Sequence, residues 1–153
     1  MSEIDKALKL KDENQIIIKV GEIIFEKIKK IEDFNNINET LKTFLYIDIL
    51  EEEVNNGGFD QYFFNSSGEY AHETLKAYEK IGAKKTADII YRAIKLFPTL
   101  PIPKDLQIRR EILLEKETNT DLWNELDDEF YKYEDSIGEM IIEFLKKNKA
   151  EFE

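Results

Sequence analysis

Residues 51–68 read EEEVNNGGFDQYFFNSSG, and this stretch decides the fold. Three carboxylates, Glu51, Glu52 and Glu53, run into Asn56, Gly57 and Gly58, and a dense aromatic segment follows. A helix that ends at Val54 to Asn56 hands over to glycines that adopt the left-handed conformation without a Cβ penalty. Phe59, Tyr62, Phe63 and Phe64 are too many aromatics in six residues for a solvated loop. The chain is therefore expected to fold back there as a short helix that plugs a core. Asn-Gly can also mark a β-hairpin, but these flanks lack strand alternation. Asn56, Gln61 and Asn65 sit among the aromatics, and their amides are expected to satisfy backbone groups where one helix ends and the next begins.

Helical periodicity flanks the junction on both sides. Between Glu13 and Ile31, Ile16, Ile17, Val20, Ile23, Ile24, Ile28 and Ile31 share one face, with Lys19, Glu22, Glu26 and Lys30 opposite. Asn38 is a good N-cap for the next helix, whose Leu41, Phe44, Leu45, Ile47, Ile49, Leu50 and Val54 surround the axis. That pattern marks a central helix in which only the last turns face water. Beyond the junction, Ser66 with Glu69 reads as a capping box for a helix that turns Ala71, Leu75 and Tyr78 inward and stops at Gly82. A further helix over 86–97 places Ala87, Ile90, Tyr91, Ile94 and Phe97 inward, and all three prolines then crowd into FPTLPIP at 97–103. Leu100 and Ile102 are expected to lay that segment on the core. Three more helices follow, around 105–116, 121–133 and 135–148. The expectation is a single all-α domain over residues 1–153, a globular bundle of about seven to eight helices with fraying confined to residues 1–12.

The charge of −11 is segregated. Residues 31–75 hold ten acids against Lys42, residues 117–143 hold ten against Lys132, and residues 76–116 hold ten bases against five acids. Such carboxylate density argues against direct binding of nucleic acid or an anionic membrane, and it favours a basic protein partner. The absence of cysteine excludes disulfides and thiolate chemistry. The N-terminal residues form no continuous apolar segment, so neither a signal peptide nor a membrane anchor is expected, and the protein is expected to be cytoplasmic.

Two acidic stripes are candidates for partner binding. Asp48, Glu51 and Glu52 share a side at the end of the central helix, and Asp121, Glu125, Asp128 and Glu129 form a stripe on the helix over 121–133. Beside the second stripe run Leu122, Leu126, Phe130 and Tyr133, with Trp123 flanking them. Carboxylates every three or four residues repeat at about 4.5 to 6 Å along a helix axis, a charge density of the same order as one DNA strand. The competing explanation is an ordinary solvated face. Glu69 and His72 have the Glu-x-x-His spacing of di-metal bundles, but His72 is the only histidine and the second such pair is missing. No triad, phosphate loop or dinucleotide fingerprint is present, so neither catalytic residue, metal nor cofactor is assigned.

Glu53, Asn56, Gly57, Gly58, Phe59, Gln61, Tyr62, Phe63 and Asn65 together resemble the signature of the DNA-mimic-protein-19-like domain family, a bacterial family of mostly unknown function. That signature is an acidic residue, Asn-Gly-Gly, an aromatic, then Gln, aromatics and Asn. The likeness continues through Gly68, Leu75, Ala77 and Ile81-Gly82-Ala83, and covers roughly residues 35 to 145. The resemblance implies an all-helical domain and, by analogy with one described member, a dimeric acidic protein that occupies the DNA-binding surface of a transcription factor. The first reading is thus a non-catalytic DNA mimic or related regulator bound to a basic DNA-binding protein. The alternative is a salt-insensitive interaction, immunity or adaptor module that uses an apolar patch near Trp123 or the proline segment. A metal-dependent enzyme using His72 comes third.

Overall fold

The structure is a computed structural model and describes residues 1–30, 34–115 and 122–153, the side chains of Lys30 and Asn35 excepted. The described residues are all-α, with nine helices and no strand. The two short terminal helices account for the excess over the number expected. Ile31 and Asp121 lie outside the described residues. The chain divides into two compact units, Met1–Leu45 with Ser136–Glu153, and Tyr46–Asp135.

The first unit holds α1 (Glu3–Leu8), α2 (Glu13–Lys30), α8 (Ile137–Lys147), α9 (Lys149–Phe152) and the start of α3 (Glu39–Phe64). Residues 1–12, expected to fray, contain α1, because a capping box between Ser2 and Asp5 closes its first turn and Ile4 and Ala7 are buried. Ile16, Val20 and Ile24 of α2 are buried as the periodicity requires, and α2 packs on α8, in which Ile137, Ile141 and Leu145 are buried. Phe152 sets its ring edge-on to Phe44 at 6.2 Å and to Phe144 at 6.4 Å. Asn38 caps α3 as expected, its Oδ1 accepting Leu41 N–H at 2.8 Å.

The second unit holds the rest of α3, then α4 (Ala71–Lys80), α5 (Lys84–Lys95), α6 (Leu106–Glu115) and α7 (Asn124–Tyr131). The helical path of α3 is broken once, at Gly57 and Gly58, and resumes through the aromatic segment. Phe59, Tyr62 and Phe63 are fully buried, so the segment does plug a core. Phe63 lies at its centre, 4.9 Å from the Trp123 ring and 5.6 Å from Phe97, while Phe130 meets Phe59 edge-on at 6.0 Å. Phe64 instead remains at the surface beneath the Arg110 guanidinium, 4.7 Å from the ring centroid.

Three local expectations are corrected. Ser66 and Glu69 form no capping box: residues 66–70 make a 3-10 turn, and the buried Ser67 Oγ donates to Tyr62 C=O at 2.7 Å. Tyr91 is 48% exposed, and Ile89 is buried in its stead because α5 turns Ile89, Ile90, Ala93 and Ile94 inward. In the proline segment Ile102 is buried but Leu100 is 46% exposed, so only one of the two anchors it. Among the described residues no helix is long and apolar enough to cross a membrane.

Candidate protein-interaction surface

Breaking a helix frees backbone groups that must find partners. At Gly57–Gly58 other elements supply them. Asp127 of α7 accepts Phe59 N–H at 2.9 Å, capping the resumed helix, and Tyr131 donates its hydroxyl to Val54 C=O at 2.6 Å. Gly58 has φ +73°, and a Cβ there would run into the Asp127 carboxylate. A Cβ at Gly57 would run into the Gln61 side chain. Both glycines are therefore set by what approaches them.

A polar clamp spans the same break. The Glu53 carboxylate accepts Gln61 Nε2 at 2.7 Å and Asn65 Nδ2 at 3.1 Å, and Asn56 Nδ2 reaches Gln61 Oε1 at 3.2 Å. The amides were expected to serve backbone groups. Gln61 and Asn65 serve a carboxylate instead and Asn56 serves Gln61, while Asp127, Tyr131 and an arginine hold the backbone groups at the break. That arginine is Arg109 of α6, 0% exposed, whose guanidinium donates to the carbonyls of Phe63 (3.0 Å), Asn65 (2.7 Å), Lys104 (2.8 Å) and Pro103 (3.1 Å). A cation at the C-terminal end of α3 also suits the helix dipole. Gly68 allows this, since a Cβ there would stand 2.9 Å from Arg109 Nε.

The acidic stripes divide by environment. Glu51 is half-buried and accepts Tyr78 OH at 2.7 Å. Burial pushes its carboxyl up to about 7, against the opposing hydrogen bonds from Tyr78 and Tyr133, with Asp48 adding to the rise. Asp48 is pushed up to about 6 by burial and by the neighbouring Glu52 charge. Tyr133, at φ +46°, also receives Asn55 Nδ2 at 2.6 Å. Burial raises the Asp127 carboxyl, opposed by its bond from Phe59 N–H. On α7, Glu129 is held in a two-pronged pair with Arg92, both contacts 2.8 Å, and this depresses its carboxyl. Glu52, Glu125 and Asp128 are exposed and make no hydrogen bond or ion pair among the described residues.

The remaining sequence candidates fall as follows. His72 Nε2 accepts Ile102 N–H at 3.1 Å, which ties the proline segment to α4. Among the described residues no three His, Asp or Glu side chains are placed to hold a metal ion. Trp123 is 1% exposed and donates its indole N–H to Ala93 C=O at 2.9 Å, so it is core and cannot present a binding patch. Sequence reasoning missed the roles of Asp127, Arg109, Tyr78 and Tyr133. The available signal for Asp127 and Arg109 was the Gly-Gly break, which obliges some side chain to supply a cap.

An acidic, all-helical fold built on a clamped Asn-Gly-Gly break defines the class of this protein. A family model described as DMP19-like protein matches residues 35–148, and the chain belongs to that family. Membership is consistent with a DNA-mimic role. No curated protein and no solved structure matches the chain.

Proposed function

We propose that this protein is a non-catalytic acidic domain that occupies the DNA-binding surface of a basic DNA-binding protein. The supporting observation is that Glu52, Glu125 and Asp128 stand exposed, with no hydrogen bond or ion pair among the described residues, on two helices tied to each other by the Asp127–Phe59 and Tyr131–Val54 hydrogen bonds, in a chain of charge −11. Preorganised carboxylates lose little freedom when a basic surface docks, and their field steers its approach. Asp121 belongs to the same stripe by sequence. Asp48, Glu51 and Glu129 contribute less charge, the first two through partial protonation near neutrality and the third through Arg92. The protein acts in the cytoplasm, without cofactor, as a homodimer that joins acidic stripes from two copies.

The salt-insensitive alternative loses Trp123 but keeps Leu96 and Leu100, both exposed beside the prolines. Affinity capture at low salt from a lysate of the source organism separates the two. A basic DNA-binding protein that elutes at moderate salt and is displaced by duplex DNA supports mimicry. A partner that resists salt and ignores DNA moves the assignment to the apolar segment.

A further inference from the structure

Asn56 precedes Gly57, and no other asparagine in the chain precedes a glycine. Such a pair carries a latent reaction. The backbone nitrogen of Gly57 attacks Cγ of Asn56 and gives up its proton to water, the side-chain nitrogen leaves as ammonia, and a five-membered succinimide closes. Water then adds to either ring carbonyl and opens the ring to aspartate or, with the backbone rerouted through Cγ, to isoaspartate. One water is consumed and one ammonia released, with no change of oxidation state. Glycine favours the attack because it has no Cβ to block the approach and its backbone rotates freely.

The structure gives this pair both access to water and a restraint. Asn56 and Gly57 are exposed. Asn56 keeps helical backbone angles, the departure from the helix beginning at Gly57, whereas ring closure needs the backbone of Asn56 to rotate out of that conformation. Gln61 holds the reacting groups in place. Its Oε1 accepts Asn56 Nδ2 at 3.2 Å, its side chain lies where a Cβ of Gly57 would stand, and its own Nε2 is fixed on Glu53 at 2.7 Å. The clamp across the helix break therefore restrains the leaving group and the nucleophile together. Loss of the amide also prevents the clamp from re-forming as it was. An ionised carboxylate at position 56 faces Gln61 Oε1, acceptor against acceptor. Isoaspartate further adds one carbon to the main chain between Val54 and Phe59, both of which are tied to α7.

We propose that Asn56–Gly57 is a deamidation site gated by the Gln61 clamp, at which opening of the clamp permits the reaction and the product leaves the break permanently unlatched. The test incubates the full chain, folded and in urea, side by side in mildly alkaline buffer, and follows conversion at Asn56 by peptide mass spectrometry. The chain in urea is expected to convert readily and the folded chain more slowly. Gln61→Ala, shown to be folded by circular dichroism, is expected to raise the folded-state rate about tenfold, because the rate follows the population of the open form. Ile24→Val, which weakens the core of the first unit instead, is expected to leave that rate unchanged. The proposal is overturned by conversion as fast in the folded chain as in urea, by equal rates in wild type and Gln61→Ala, by equal acceleration in Ile24→Val, or by no conversion at Asn56 in urea.

Discussion

The Asp127 carboxylate accepts the backbone N–H of Phe59 at 2.9 Å, across 68 positions of chain. One acidic residue of a segment that looks like a solvated stripe is thus the N-cap of the helix that resumes after Gly58. Asp127→Ala is expected to cost about 1–2 kcal/mol, the usual range for a lost cap, and Asp127→Asn, which keeps an acceptor, distinctly less. Urea denaturation monitored by circular dichroism measures both. Equal losses for the two variants would mean that charge, not capping, is the contribution.

Gly58→Ala is expected to cost more than Asp127→Ala, because it adds a Cβ to a residue at φ +73° and drives it into the same carboxylate. Combining it with Asp127→Ala removes the collision but leaves the backbone strain. The double variant is therefore expected to be less destabilised than the sum of the singles, a coupling that a double-mutant cycle reads directly.

Gln61 and Asn65 converge on Glu53, so removing one amide leaves the carboxylate with a single donor. Gln61→Ala is expected to lower stability by about 1–2 kcal/mol while leaving affinity for a basic partner within about twofold. A variant with an unchanged melting temperature and lost binding would reassign the clamp as a contact site.

Glu51 has a sharp pH signature. Its native carboxyl titrates near 7, above its ordinary value of 4.5, so between those limits the folded state holds a proton that the unfolded chain has released. Stability therefore falls as pH rises through this window. Glu51→Gln removes the effect. It is expected to match the wild type near pH 4.5 and to exceed it by about 1–2 kcal/mol at pH 8, as melts across that range will show. Asp5, held down at about 2 by Lys149, makes the opposite contribution, but below the window.

Much of this fold is legible in the sequence, for identifiable reasons. The helices of α2, α3 and α8 follow from apolar spacing, and the aromatic density at 59–64 announces a core because no solvated loop tolerates it. Capping chemistry is less legible. Asp127, Asp135 and Arg109 each serve a backbone group far away in sequence, and composition does not distinguish them from neighbours such as Asp128 that face water. Tyr133 is harder still, since a helix exit at positive φ normally advertises itself with glycine or asparagine. Its phenol is instead engaged by Asn55 and Glu51, a tertiary arrangement that no local pattern encodes.

Charge reversal of the three exposed carboxylates addresses the proposed role most directly. The measurement is the affinity of Glu52→Lys/Glu125→Lys/Asp128→Lys for the captured DNA-binding partner across a series of salt concentrations, beside the wild type and with folding verified. If the acidic surface is the contact, the variant loses at least about a hundredfold in affinity at low salt, and what remains depends less steeply on salt. A folded variant that binds with wild-type affinity and salt dependence would contradict a mimic built on these residues.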